Sequence, residues 1–131
     1  MVGDSMDKVL ENSILDTVKA GLGVADDDDA FNGDLIPHIN AALNDILQAG
    51  AGKPTFVLDA SAKWGDFIDP EVDPLRAGAL SSIILYVITK TRILFDPPSA
   101  GTMAVLRTIV DEQIWRVQIA YDTGNRQDLE S

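Results

Sequence analysis

Acidic side chains are the most abundant chemically competent groups in this sequence, and residues 26–29 concentrate them in an unbroken run of aspartates. Carboxylates in a short loop are typical calcium ligands, and Gly33 could stand at the invariant glycine of an EF-hand loop. Asp28 would then occupy position 1, but position 12 would be Ile39, where the loop requires a bidentate Glu. The spacing therefore favours a solvated acidic loop beside the positively polarised start of the next helix.

The single histidine, His38, has no cysteine and no motif-placed nucleophile near it. The sequence also lacks a phosphate-binding glycine loop, a nucleophile elbow, an HExxH motif and a Cys/His cluster. Carboxylate pairs suited to a hydrolase occur in any acidic chain, and nothing in the pattern buries one beside another. We therefore predict a non-enzymatic protein without cofactor or metal, in which His38 is a structural or interface residue.

Composition narrows the kinds of partner that this chain can have. Its 131 residues are 46% hydrophobic, enough for one domain with a real core, and it has no cysteine. The chain has 10 Lys and Arg residues against 21 Asp and Glu, a net charge of -11. It therefore has few basic side chains with which to neutralise the phosphates of a nucleic acid. Such a surface repels DNA, which suits a passage through which DNA slides. The N-terminus lacks a secretory pattern, so we expect synthesis and retention in a cytoplasm.

The elements that position these residues are organised around an apolar stretch between residues 73 and 98, which we predict to be a central helix. Asp73 and Pro74 suit a helix start, because Asp accepts a free backbone N–H and Pro needs no N–H partner there. Residues 96–98, Asp-Pro-Pro, cannot continue a helix. Apolar residues cover more than half the circumference at residues 83–88, which predicts packing on two sides. Charged residues interrupt the run well short of the roughly 20 apolar residues that a membrane span needs.

The first helix has a clear end and an open start. Gly21 and Gly23 supply a stop signal that ends the helix near Ala20, because glycine accepts the left-handed conformation common just past a helix end. Apolar residues at helical spacing reach back towards the N-terminus. The start therefore lies either there or at Ser13, which would cap a shorter helix.

Two more helices complete a mainly α fold, a small bundle of about four helices with one long central helix. One begins at Asn32 or Asp34 and ends at Gly50. The other follows Ser99, which caps it, and carries one apolar face at intervals of three or four. Residues 1–121 are predicted to form a single domain.

The connection before the central helix contains a short extended segment at residues 55–58 and a short helical turn around Trp64 and Phe67. These two aromatic side chains either pin the loop onto the core or anchor a partner. Residues 122–131 have almost no apolar content, and we expect them to form a flexible C-terminal tail.

Four segments form an ordered set along the chain. They are ILDTVK at 14–19 with LGV at 22–24, DLIPHINAA at 34–42 with QAG at 48–50, KWGDF at 63–67, and YVITKTRILFDPP at 86–98 with Trp115-Arg116 downstream. The set resembles the head–tail connector (adaptor) proteins of tailed bacteriophages, over roughly residues 14–120. The sequence departs from that family in a longer lead-in at residues 1–12 and in Ile114, where an acidic residue is expected.

This resemblance implies a compact helical protomer that assembles into a homo-oligomeric ring of about a dozen copies. The ring would dock beneath the portal protein at the capsid vertex and extend the DNA channel. It would also offer a platform for the next neck or tail protein, a stopper or tail terminator. Double-stranded DNA would pass through without sequence-specific binding, and no membrane is involved. The implied location is the neck of the virion, with assembly in the bacterial cytoplasm.

Candidate site residues follow from this interpretation. Those predicted to bind a partner are Trp64, Phe67, Trp115, Arg116, Tyr121, Asn125, Arg126 and Leu129. Those predicted to lie between subunits are Asp27, Asp28, Asp29, Arg76, Arg92 and Arg107, because a scarce cation can pair with a neighbour's acidic loop. One alternative is a small acidic regulator or inhibitor that mimics DNA or binds a basic partner. Another is a hydrolase, which would need a pocket with two carboxylates of unequal pKa.

Overall fold

The computed structural model describes residues 8–68 and 78–130, with side chains at 8–68 and 79–121. Residues 8–10 are helical, and five longer helices follow in these ranges. They are α1 (Ile14–Leu22), α2 (Asn32–Gln48), α3 (Trp64–Phe67), α4 (Gly78–Phe95) and α5 (Ala100–Glu130). The described residues contain no strand, and the extended segment expected at 55–58 forms none. The fold is therefore mainly α, as predicted.

The central helix of the bundle is α4. It contacts α1, α2 and α5, and its Ile83 and Val87 are buried, which confirms the prediction that it packs on more than one side. It ends at Phe95, directly before the Asp-Pro-Pro sequence. The predicted start at Asp73 and Pro74 lies outside the described residues. None of the described helices combines the length and the hydropathy that crossing a membrane requires.

Helix α1 is short because Ser13 caps it. The Ser13 hydroxyl accepts a hydrogen bond from the backbone N–H of Asp16 at 3.1 Å, which satisfies one of the free donors at a helix start. The helix ends at Leu22, and Gly23 follows in the left-handed conformation with φ 78°. Gly21 is not part of the stop, as the sequence suggested, but lies inside the helix. A Cβ atom at Gly21 would stand 2.7 Å from Cγ2 of Ile88, so glycine lets α1 approach α4 closely.

Helix α2 begins at Asn32, the earlier of its two predicted starts, and packs on α4. Its inward face is apolar and includes the buried side chains of Leu35, Ile39, Leu43 and Ile46. Two polar contacts cross between the same two helices and share the Asp45 carboxylate. The hydroxyl of Tyr86 in α4 donates to it at 2.6 Å, and the ammonium group of Lys90 in α4 lies 4.0 Å from it. Contacts to a charged group are stronger than contacts between neutral groups, so Asp45 helps to fix α2 on α4.

The connection between α2 and α4 is held by the aromatic residues of α3. The backbone N–H of Trp64 donates to the carbonyl of Asn12 at 3.1 Å, and its indole N–H donates to the Thr17 hydroxyl at 3.1 Å. The ring of Phe67 packs edge-on against that of Phe56, with the ring centroids 5.3 Å apart. This short helix therefore joins the connection to the start of α1.

Helix α5 packs chiefly on α4 and only slightly on α2. Its inward face includes the buried side chains of Leu106, Val110, Val117 and Tyr121. The helix begins at Ala100, directly after the predicted cap Ser99, and its backbone is helical as far as Glu130. Residues 122–130 thus continue the helix where the sequence favours a flexible tail, and the mobility of that tail in solution stays a prediction.

Candidate partner-binding surfaces

The acidic loop, residues 26–29, is anchored to α1 by a buried lysine. The side chain of Lys19 is 1% exposed, and its ammonium group donates to the backbone carbonyl of Asp26 at 3.0 Å. The same group lies 3.8 Å from the carboxylate of Asp29. Asp27 and Asp29 are exposed, and Asp28 is half-buried. The loop therefore presents negative charge from a fixed position.

Sequence reasoning missed the role of Lys19. The signal was present, because this lysine lies in the last turn of α1, shortly before the aspartate run. The sequence alone placed Lys19 only within the segment at residues 14–19. Its burial could not be seen there, because it depends on how the acidic loop folds back over the side chain.

Two described side chains have clearly shifted pKa values, and both shifts have local structural causes. Burial raises the pKa of the Tyr86 hydroxyl above its ordinary range, and the hydrogen bond to Asp45 adds to the rise. Hydrogen bonds from the side chain and backbone of Ser61 lower the pKa of the Asp59 carboxyl. Tyr86 joins two helices and Asp59 shapes a turn. Within the described residues, no group of three or more His, Asp or Glu side chains is arranged to hold a metal ion.

Three of the aromatic residues predicted to bind a partner are buried in the protomer. Trp64 and Phe67 have no exposed surface, and Tyr121 is also buried, with its Cβ close to Gly50. In this conformation none of the three presents a surface to another molecule. Their burial favours core packing, the other interpretation that the sequence offered for the α3 aromatics.

Trp115 differs from these residues because it points away from the core. It is 58% exposed, and Val105 and Ile119 on the same helix are 59% and 45% exposed. At about 3.6 residues per turn, all three lie on the side of α5 opposite its buried stripe. We call Val105, Trp115 and Ile119 the outer face of α5. The sequence predicted Trp115 alone of these three, although Ile119, one turn later on the same helix, was a usable signal.

An ion pair interrupts the outer face of α5, because Glu112 lies between Val105 and Trp115 on that side of the helix. The guanidinium of Arg116 lies 2.7 Å from the carboxylate of Glu112, one turn earlier on the same helix. Both side chains are about half exposed. A surface pair of this kind contributes little to protomer stability. Arg116 is therefore accessible to a partner, although it already has a carboxylate beside it.

The cations predicted to lie between subunits have different surroundings. Arg92 and Arg107 are exposed and form no ion pair within the described part of the chain. Arg92 borders a small cleft of about 150 Å³ beside Phe95 and Asp96. Arg76 lies outside the described residues. The side chains of Asn125, Arg126 and Leu129 lie on the part of α5 for which the backbone alone is described.

A groove of about 370 Å³ runs between α2 and the connection that follows it. Its lining includes the apolar residues Pro37, Ala41, Leu47 and Phe56 and the amides of Asn40 and Asn44, and none of its lining residues is charged. We call this feature the α2 groove. His38, next to Pro37 in sequence, is half-buried and does not line it.

Together these features define a small helical protein whose described surface offers contact faces: a fixed acidic loop, an apolar helix face and an uncharged groove. The sequence profile of the phage connector protein family matches residues 14–124, so the chain belongs to that family. This confirms the resemblance seen in the sequence, and members of the family are structural proteins of bacteriophages. No curated protein matches the chain. No solved structure matches it either.

Proposed function

We propose that this chain assembles into a ring of about a dozen copies in the neck of the virion, between capsid and tail. The ring docks beneath the portal, extends the DNA channel and offers a platform for a stopper or tail-terminator protein. The observation that carries the proposal is the family match over residues 14–124. Assembly takes place in the cytoplasm of the bacterial host.

A closed ring of identical subunits requires two different, complementary patches on each protomer. Charge supplies one such pair. The exposed aspartates of the acidic loop are held in place by Lys19, whereas Arg92 and Arg107 are exposed and unpaired within the described residues. We propose that the loop, through Asp27, Asp28 and Asp29, pairs with these arginines of the neighbouring copy. Arg76 belongs to the same proposal.

The net charge of the chain fits contact with moving DNA better than binding to it. A net charge of -11 per copy repels phosphates, and a ring multiplies that charge. A channel surface that repels DNA lets the duplex pass without sequence-specific contacts. This step of the proposal depends on the ring and fails with it.

The C-terminal half of α5 is the part of the chain that we assign to the portal. Trp115 and Arg116 are exposed there, and residues 122–131, with Asn125, Arg126 and Leu129, continue from them. A segment that becomes ordered on binding offsets its ordering entropy with interface contacts. Removing residues 122–131 should therefore weaken docking on the portal, and unchanged docking would contradict this assignment.

The mass of the purified protein in solution tests the proposal. Light scattering should be measured for the protein alone and after mixing with tailless capsids that carry the cognate portal. We expect either a ring in solution or stoichiometric binding at one vertex of the capsid. A protein that stays monomeric and ignores these capsids would refute the proposal.

A charge exchange tests the inter-subunit pairing separately. Asp28→Arg or Arg107→Asp alone should weaken assembly, and the two changes in one chain should restore it, because the ion pair is re-formed with its sign reversed. Glu11→Arg changes the net charge by as much as Asp28→Arg does, and Glu11 lies outside both patches, so it serves as the control. Equal losses in Asp28→Arg and Glu11→Arg would show that net charge alone is responsible.

The acidic regulator remains the alternative. It predicts a stable monomer that forms a salt-sensitive complex with a cationic protein. The described structure provides nothing beyond the charge that favours it. The same light-scattering experiment separates the two functions.

A further inference from the structure

We propose that the acidic loop of one copy pairs with Arg107 of the next copy in the ring, and that Arg92 stays beside the acidic loop of its own copy. This pairing rests on the proposed ring and narrows its charged contact to one of the two described arginines. Arg107 is then the residue that recognises the neighbouring copy.

A closed ring fixes the directions in which the two contact patches of a protomer face. In a ring of about a dozen copies, each copy is rotated by about 30° relative to its neighbour, so the two patches of one protomer face about 150° apart. The acidic loop and its cationic partner must therefore lie on nearly opposite sides of the chain. Patches that lie side by side form one self-complementary surface, which gives a two-fold dimer instead of a ring.

The acidic loop lies on the side of α4 that faces α1. Before the loop, Leu22 ends α1, and the adjacent Gly21 lies close against Ile88 of α4. After the loop, the ring of Phe31 packs edge-on against that of Phe95, with the ring centroids 5.4 Å apart. Ile88 and Phe95 are separated by about two turns, so they lie on the same side of α4. The loop is therefore held against this side at both of its ends.

Arg92 lies on the same side of α4 as the acidic loop. It follows Ile88 by one turn, and it lines a cleft of about 150 Å³ together with Leu22 and Phe95. If a neighbour's acidic loop reached Arg92, it would also approach the acidic loop of that protomer. Like charges brought together in this way oppose association, and a net charge of -11 leaves no excess of cations to offset them.

Arg107 lies on the far side of α4. Tyr86 precedes Ile88 by two residues, which turns its side chain by about 200°, to the opposite side of the helix. Burial and Asp45 raise the pKa of the Tyr86 hydroxyl most, and the charge of Asp111 on α5 adds to the rise, so Asp111 lies near this side. Arg107 precedes Asp111 by one turn on α5, and it is exposed and unpaired within the described residues. Contact at Arg107 therefore keeps the acidic loops of two copies apart.

A charge exchange within one chain separates the two arginines. Asp27 is exposed, so Asp27→Arg should weaken assembly without lowering the melting temperature of the protomer. Asp27→Arg with Arg107→Asp should restore assembly, because the ion pair is re-formed with its sign reversed. Asp27→Arg with Arg92→Asp gives the same net charge and should restore nothing. Light scattering measures assembly, in solution and on tailless capsids that carry the cognate portal.

The results distinguish this pairing from the ring itself. If the wild-type protein assembles and Arg92→Asp restores assembly, or neither exchange does, the pairing is wrong and the proposed ring stands. If the wild-type protein neither assembles nor binds capsids, the pairing and the proposed ring both fail.

Cysteine cross-linking tests the same contact while both charges of the pair stay in place, because the chain has no cysteine of its own. Ala30 directly follows the acidic loop, Ala104 lies one turn before Arg107, and both are exposed. Ala30→Cys in one chain and Ala104→Cys in a second, size-tagged chain are mixed under mild oxidation, so a disulfide between the two can arise only between copies. We expect this product, and none when Asp96→Cys, beside Arg92 in the cleft, replaces Ala104→Cys. A product from the second mixture alone, or from neither, would overturn the pairing.

Discussion

The replacement of Gly21 by alanine probes how closely α1 approaches the central helix. An added Cβ would stand 2.7 Å from Cγ2 and 3.1 Å from Cδ1 of Ile88. Alanine inside a helix is better than glycine by about 0.5–1 kcal/mol. Overpacking a close helix contact costs about 1–3 kcal/mol. The second effect is larger, so we expect Gly21→Ala to lower the free energy of unfolding by about 0.5–2 kcal/mol.

Urea denaturation followed by circular dichroism measures this difference in the free energy of unfolding. The same substitution in a second mutant chain tests whether the contact with Ile88 causes it. In a chain that carries Ile88→Ala, the atoms that clash are absent. Gly21→Ala should then stabilise the protein by about 0.5–1 kcal/mol, the helix-propensity gain alone. The sign of the effect therefore reverses between the two backgrounds, which is a coupling that only contacting residues show.

Gly101→Ala is the control for helix propensity, because Gly101 lies in α5 and no atom stands within 4 Å of the Cβ position. It should be neutral or slightly stabilising. If Gly21→Ala stabilises the wild type and the Ile88→Ala chain equally, the close approach of α1 to α4 does not constrain residue 21, and the reasoning is wrong.

Two further predictions concern the contacts that fix α2 and the connection. Tyr86→Phe removes the hydrogen bond to Asp45, and denaturation should show a loss of about 0.5–1.5 kcal/mol. Because folding raises the pKa of Tyr86 above about 10, wild-type stability should hold below that pH and fall above it. Tyr86→Phe should lack that part of the fall, and identical profiles would contradict the assignment. Gly52 has φ 83°, and a Cβ there would meet the ring of Phe67. Gly52→Ala should therefore lose about 1–3 kcal/mol more than Gly23→Ala, which has φ 78° and open space around it.

The local signals of the sequence predicted where two helices stop, and they offered Ser13 as one of two possible starts for the first helix. Ser13 caps α1, Gly23 follows its end, and α4 stops before residues 96–98. Each of these features depends on a residue and its near neighbours in the chain. A cap or a breaker acts over one turn, so its effect can be seen without knowing the tertiary fold.

The features that sequence reasoning missed depend on contacts between distant residues. Gly21 looked like a stop signal, but its role is set by Ile88 on another helix. Lys19 looked like an ordinary last-turn cation, but the folded loop buries it. The same dependence on distant contacts explains why the sequence left two interpretations open for Trp64. A short aromatic turn has the same local sequence whether its side chains pack in the core or bind a partner.

The two tryptophans of this chain separate folding from assembly. Trp64 is fully buried, and its indole N–H has a partner in Thr17, so any change there acts on the fold. Trp115 lies on the side of α5 that faces away from the core, and 58% of the surface of this residue is exposed to solvent. A large exposed apolar side chain contributes little to the protomer, and clusters of such side chains mark interaction sites. Loss of assembly in a Trp115 variant that folds normally would therefore report on the function of the chain, whereas loss at Trp64 would report on its stability.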